Sequence, residues 1–342
     1  MMRTCRIGII GCGWAGEQHA QAIHALADRA ELVGVADVDA GVAERQARAW
    51  NVPVWTDDYH TLLAGHALDA VSICLPSALH ASVAIDACRA GVHVLVEKPL
   101  ATSLAEADAM IAAADEAGVQ LLVAENMRYD PSYRKMAELI AADTLGDIFL
   151  LRIAREHEMH DYLRRRPWFL HQPSGGIMYS GGIHDFELLR MLGGEIEHVY
   201  ALAAPKTLPE MAGDDTSVAL AGLRSGALAT IVESFSLKTP EPSVQVTVHG
   251  SRGSLWCRGA HLRLYDAPED GRQDLVHEMI VPAQNTFEIE IAHFLDCIEG
   301  KAEPITGARE ERKPLVAVLA AYESMRRGER VYLTTVRGDT EG

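Results

Sequence analysis

Four groups of residues in this chain have types and spacings that suit chemistry. The first is Gly11, Gly13 and Gly16, a G-x-G-x-x-G that follows the apolar run at residues 7–10. Apolar positions Ala15, Ala22, Ile23 and Leu26 then recur at helical spacing. A strand, a glycine turn and a helix in that order make a phosphate cradle. Gly11 permits the turn, Gly13 lets a pyrophosphate reach the backbone, and Gly16 lets helix and strand pack closely. The helix start adds free N–H groups and a positive dipole end. The second group is Asp37, at the end of a further apolar run and 21 residues after Gly16. A carboxylate at that distance suits the ribose hydroxyls of a dinucleotide, and with no Lys or Arg beside it would repel a 2′-phosphate, which favours NAD over NADP. The third is Glu97-Lys98-Pro99, where a lysine can hold a substrate hydroxyl and help move its proton, and where the X–Pro bond can be cis. The fourth is SGGIMYSGGIHDFE at residues 174–187, with His184 at a glycine–helix junction.

These groups need elements to hold them. The first third of the chain alternates short apolar runs with helical patterns. The run at residues 69–75 is almost continuously apolar, as for a strand covered on both faces. Further strands are expected at 92–96 and 119–124. Ser103 with Glu106 reads as a capping box. Repeated strand–helix–strand units predict a parallel, doubly wound α/β sheet whose ligands lie beyond the carboxyl ends of the strands. The loops after Ile10, Ala36, Leu75 and Val96 are therefore expected to meet. Asp130-Pro131 starts a helix. Beyond Gly146 the pattern alternates, as in Val244, Val246 and Val248, with a turn at Ser251-Arg252-Gly253; this half reads as an open antiparallel sheet. Two late helices and a short strand close the chain. The expected division is a dinucleotide domain over 1–125 and a second domain over 126–342.

The chain has 342 residues, 48% of them hydrophobic, and a net charge of −17. That length and core suit two domains. The acidic balance excludes a basic duplex-binding face and argues against binding anionic membranes. The six cysteines are scattered without a C-x-x-C pair, which points to a reduced, cytoplasmic protein. No signal peptide or membrane span is expected. Cys12, inside the glycine turn, reads as a small filler or a reactive thiol. His157 and His160, three apart, suit metal ligation, but no carboxylate or cysteine spacing supports a metal, and none is expected. Arg164-Arg165-Arg166 reads as a solvated charge run or an attraction for an acidic substrate.

The motifs GIIGCGWAG, Asp37, LPSALH (75–80), VEKPL (96–100), ENMRYDP (125–131) and SGGIMYSGGIHDFE together resemble the Gfo/Idh/MocA oxidoreductase family over nearly the whole chain. The resemblance implies a Rossmann domain joined to a C-terminal α+β domain with a large open sheet. It implies NAD(P)-dependent oxidation of CH–OH groups in sugars, inositols and related polyols, and homodimers or homotetramers formed through that sheet. It places Gly11, Gly13, Trp14, Ala15, Gly16, Asp37, Leu75, Pro76, His80, Glu97 and Lys98 on the cofactor, and makes Lys98 and His184 catalytic. It puts Trp168 near the substrate; Ser180, Asp185 and, in the polar stretch 155–164 that could face the cleft, His157 are further substrate candidates read from the residues themselves. One departure matters: the family often carries Asp four residues before the histidine, and here Ser180 stands there. Asp185 and Glu187 are candidate substitutes. Ser77, where the family often has Asn, is a milder change. Two other readings stay open, a non-catalytic NAD-binding sensor and NAD-assisted cleavage of a glycoside without net oxidation.

Overall fold

The computed structural model describes residues 4–65, 67–171, 176–238, 243–266 and 275–336. The chain forms two compact units, one of residues 1–126 with 285–312 and one of 127–284 with 313–337.

The first unit alternates β1 (Cys5–Ile10), α1 (Trp14–Ala25), β2 (Ala30–Ala36), α2 (Ala40–Ala49), β3 (Val54–Thr56), α3 (Tyr59–Gly65), β4 (Ala70–Ile73), α4 (His80–Arg89), β5 (His93–Glu97), α5 (Leu104–Ala117) and β6 (Leu121–Ala124). The six strands are parallel, in the order β3-β2-β1-β4-β5-β6. Strand order reverses between β1 and β4, which opens a crevice at their carboxyl ends. Ile7, Ile9, Ile73, Val94 and Leu95 are at most 1% exposed, so helices cover both faces. The caps expected from sequence form. The Ser103 hydroxyl accepts the Glu106 N–H at 3.2 Å, and the Asp130 carboxylate accepts the Ser132 N–H at 2.8 Å.

The second unit holds α6 (Pro131–Ala141), β7 (Ile148–Glu156), α7 (His160–Arg164), α8 (Pro167–His171), α9 (Ile177–Ser180), α10 (Gly182–Gly193), β8 (Ile196–Ala203), β9 (Thr216–Leu223), β10 (Leu228–Ser234), β11 (Ser243–Gly250), β12 (Gly253–Arg258), β13 (His261–Asp266) and β14 (Leu275–Ile280). α11 (Thr286–Ile298), α12 (Ala308–Arg327) and β15 (Val331–Tyr332) complete the chain. The large sheet has nine strands in the order β14-β13-β12-β11-β7-β10-β9-β8-β15. Among the described strands only β7 and β10 pair in parallel within it. One face packs on α10 and buries Leu151, Ile153, Ala219, Ile231 and Val246. The opposite face exposes Leu202, Val218, Leu220 and Leu228. Among the described residues no helix is long and apolar enough to cross a membrane.

Sequence reading assigned residues 285–312 to the second domain; in the structure they belong to the first unit. Ile291, Phe294 and Leu295 of α11 share one core with Ile7, Ile9 and Ile23. Phe287 packs edge-on against Trp14 at 5.9 Å and His19 at 5.6 Å. The helix pattern in α11 was legible, but the strand layer it returns to lies some 280 residues upstream (287 − 7), a pairing that local spacing does not encode.

Candidate active site

In the first unit the carboxyl ends of β1, β2, β4 and β5 carry the expected cofactor residues. Gly11 has φ +99°, and a Cβ there would strike the Cys74 carbonyl. A Cβ on Gly16 would strike the Gly11 carbonyl. Gly13 differs, because nothing lies within 4 Å of a Cβ built on it. The fold itself therefore demands Gly11 and Gly16, whereas Gly13 faces open space where a ligand would come close. α1 begins there with no side chain capping its first N–H groups. Gly16→Ala is expected to lower the melting temperature and NAD affinity together, because turn and helix must part; Gly13→Ala should weaken NAD binding at unchanged melting temperature. Calorimetry of both variants checks this.

Asp37 does not cap α2. Asp39 does, accepting N–H groups from Gly41 at 2.9 Å and Val42 at 3.1 Å. The Asp37 carboxylate instead accepts the Cys12 N–H at 2.9 Å, tying the end of β2 to the glycine turn. The Cys12 thiol is 2% exposed, and its pKa is pushed up to about 12 by burial and then by the Asp37 charge. It is a filler, inert as a nucleophile at neutral pH. Trp14 is exposed and Ala15 half-buried at the start of α1.

Leu75 and Pro76 are half-buried after β4. His80 is 1% exposed, and its two ring nitrogens lie 2.8 Å from the carbonyls of Pro99 and Leu75. Burial lowers its pKa while both carbonyls, each an acceptor, oppose that. His80 thus pins the loop after β4 to the loop after β5, where the Lys98–Pro99 bond is cis. Lys98 and Glu97 are both half-buried. Glu97 accepts the Lys98 N–H at 3.2 Å and lies 3.4 Å from His19 Nε2. Burial raises its pKa, but the bond and charge of His19, then the charges of Lys98 and His80, hold it below the ordinary carboxylate value. His19 is in turn 2.7 Å from the Ser72 hydroxyl. Sequence reading missed the chain Ser72–His19–Glu97; a serine inside the apolar β4 was its one signal. It also missed Glu290, on α11, which is 1% exposed with neither carboxyl oxygen hydrogen-bonded. Burial, then the charges of Glu97 and Glu125, lift its pKa well above the usual range, so it is a neutral acid.

In the second unit His184 is half-buried on the first turn of α10. The Ser180 hydroxyl donates to the Gly176 carbonyl at 2.8 Å, a bond within its own turn. Asp185 is fully buried. Arg155 Nη2 donates to it at 2.6 Å, and Arg155 Nε lies 3.2 Å from both its oxygens. With no exposed face it is a partner of Arg155 rather than a substrate ligand. Glu187, the other candidate for the missing carboxylate, pairs with Arg128 at 3.1 Å and with Arg190. His157 is half-buried; burial, then Arg155, lower its pKa, with Asp185 opposing. His160 Nε2 lies 2.8 Å from the Ser236 hydroxyl. In the arginine run Arg164 donates to Glu210 at 3.0 Å, and Arg166 lies 3.5 Å over the Tyr162 ring. The Trp168 side chain, Ser174 and Gly175 lie outside the described residues.

The glycines around His184 have a protein reason. A Cβ on Gly181 would come within 2.8 Å of Glu233 Oε1, and one on Gly182 within 3.0 Å of Glu233 Oε2. A Cβ on Gly176 would strike Asp214 and Tyr322. The glycines make room for buried acids.

Comparison with known proteins fits both halves. Residues 5–125 match the model of the Gfo/Idh/MocA oxidoreductase family, NAD-binding Rossmann fold, and residues 133–256 match the Gfo/Idh/MocA C-terminal domain. The chain belongs to the Gfo/Idh/MocA family. It is accordingly an NAD(P)-dependent dehydrogenase of CH–OH groups with NAD as cofactor. It is 33% identical over 261 residues to the uncharacterized oxidoreductase YrbE of Bacillus subtilis, covering 74% of each chain. It is 28% identical to the myo-inositol 2-dehydrogenase of Thermotoga maritima, over 97% of this chain and 100% of that one. Among solved structures it is similar to the WlbA dehydrogenase from Bordetella pertussis in complex with NADH and UDP-GlcNAcA, with a TM-score of 0.83 and 26% identity over 96% of this chain and 99% of that one. The open space at Gly13, the uncapped start of α1 and the Asp37 carboxylate fit a dinucleotide of the NAD type.

Proposed function

We propose that this chain oxidises or reduces a CH–OH group of a sugar, inositol or related polyol, with Lys98 and His184 handling the hydroxyl proton. The observation that carries the reading is Lys98, half-buried at the carboxyl end of β5 on the same sheet edge as Gly13 and Asp37. NAD, when bound, supplies the hydride acceptor; the protein supplies orientation and proton transfer. Glu97, kept ionised by His19, and His80, which ties the neighbouring loops, fix the backbone that presents Lys98. The lysine holds the substrate oxygen and His184 takes its proton as the carbonyl forms. The inositol and sugar-nucleotide relatives support a polyhydroxylated substrate. The test is formation of reduced nicotinamide with NAD⁺ and NADP⁺ against a panel of sugars, inositols and sugar acids. NAD⁺-dependent turnover supports the reading and its best substrate names the pocket. No turnover despite tight NAD binding would shift the function to a sensor, or to NAD-assisted glycoside cleavage.

The reading includes a homodimer or homotetramer formed through the open sheet and a cytoplasmic location. Val218, Leu220 and Leu228 are 40%, 51% and 60% exposed, and with Leu202 they sit on one face of three neighbouring strands. An apolar patch of that kind suits a second copy of the same sheet. Leu220→Lys is expected to shift the particle mass toward the monomer in light scattering at unchanged helix content. An unchanged mass would rule this face out.

A further inference from the structure

Beneath the turn that presents His184 lie two buried carboxyls and one guanidinium. Asp185 takes bonds from both Nε and Nη2 of Arg155, whose Nη2 also donates to Met127 Sδ. Glu233, on β10, is fully buried, and among the described residues no donor reaches either of its oxygens, while the Asp185 carboxyl lies within hydrogen-bond reach of it. Among the described residues the close cation to Glu233 is the same Arg155, with Nε 4.0 Å from Oε1. The charged or titratable groups facing it from the elements around it are Arg155 on β7, Asp185 on α10, Asp214 before β9 and Tyr322 on α12. Tyr133 on α6 and His157 after β7 face the Arg155–Asp185 pair. Tyr322 donates to Asp214 at 2.7 Å, so that acid is already served. Two buried carboxylates against one guanidinium leave a negative charge uncompensated away from water, which a shared proton removes.

We propose that Asp185 and Glu233 hold one proton between them above Arg155, and that this neutral acid pair, in place of a carboxylate at position 180, is the positioning element for His184. The contact is direct, because the Glu233 carboxyl lies against the backbone of Gly181 and Gly182. Burial, then the Asp185 charge, hold the Glu233 carboxyl well above the usual range, with Arg155 pulling the other way. The inference rests on the reading of His184 above for its catalytic consequence, but not for the proton.

The sign of the effect follows from linkage. The folded chain keeps a proton on Glu233 that the unfolded chain loses above about pH 4.3. The unfolded state then binds fewer protons, so this group makes stability fall as pH rises toward its folded value. Glu233→Gln keeps the shape and removes that loss. Its melting temperature is expected to gain on the wild type as pH rises above the unfolded carboxyl range, until Glu233 itself ionises in the folded wild type. Asp185→Asn should be tolerated, because Glu233 then ionises and serves Arg155. The double variant leaves the guanidinium buried and unpaired and should lose more than the two single losses combined. Parallel curves of melting temperature against pH for wild type and Glu233→Gln would overturn the shared proton, as would additive losses. Should Asp185→Asn not fold, the Glu233→Gln curve decides alone. For the positioning role, kcat should fall at alkaline pH in the wild type and hold in Glu233→Gln, with KM unchanged. An identical kcat profile in the two proteins would overturn that role. Absence of turnover in the wild type would overturn the substrate reading, and the melting curves would still judge the proton.

Discussion

Lys98→Ala is expected to lower kcat by about 10²–10⁴-fold, the range for loss of a positioned proton-transfer group. NAD binding should weaken far less, because the glycine turn and Asp37, proposed to hold the dinucleotide, are left intact. Lys98→Arg separates the two parts a lysine plays. It keeps the positive charge beside Glu97, but a guanidinium does not give up its proton near neutral pH. Arginine is therefore expected to keep Glu97 ionised and still lose most of the turnover. Alanine additionally removes one of the charges that hold the Glu97 carboxyl low, so its pKa should rise. Steady-state kinetics with the best polyol, beside calorimetric titration with NAD, checks both variants. Turnover unchanged in Lys98→Ala would remove the lysine from the mechanism.

Asp37→Ala should weaken NAD binding by roughly 10–100-fold, because a hydrogen bond to a charged group contributes about 1.5–3 kcal/mol and about 1.4 kcal/mol is tenfold. The structure gives this residue a second task, the bond to the Cys12 N–H in the glycine turn. Alanine therefore loses the proposed ribose partner and loosens the turn together. Asp37→Asn distinguishes the tasks, since an amide oxygen can still accept from Cys12 while the negative charge is gone. It should bind NAD more weakly than the wild type but discriminate less against NADP, because the repulsion of a 2′-phosphate has been removed. Binding both dinucleotides to both variants measures the difference. An Asn variant that rejects NADP as strongly as the wild type would move the source of selectivity elsewhere.

The parts of this fold that the sequence made legible are those with short-range causes. The glycine turn follows β1 within a few residues, Asp130-Pro131 starts its own helix, and the alternation of β11 is visible along one strand. The same holds for Lys98, which a loop directly after β5 presents. What stayed hidden depends on partners far apart in the chain. Ser72 and His19 meet because β4 lies beside β1 and α1. Glu233 reaches the glycines before His184 only through the sheet register that sets β10 beside β7. Gly181 and Gly182 mark a need for space in the sequence without naming the occupant, a buried carboxyl. Asp185 was offered as a stand-in for the acid missing at Ser180; the burial that disqualifies it as a ligand comes from Arg155, whose approach is tertiary.

The return of α11 to the first unit has a consequence for how the protein is made. The ribosome delivers all six parallel strands early, yet the helix that shields Ile7, Ile9 and Ile23 emerges only after the whole nine-stranded sheet except β15. Until then the nascent nucleotide-binding unit carries an uncovered apolar flank around Phe287's future seat beside Trp14 and His19. A fragment cut at residue 125 keeps that flank permanently and is expected to aggregate. A fusion of residues 1–126 to 285–312 through a short linker should stay in solution and bind dinucleotide. Expressing the two side by side would show whether the cradle can be used as a separate module.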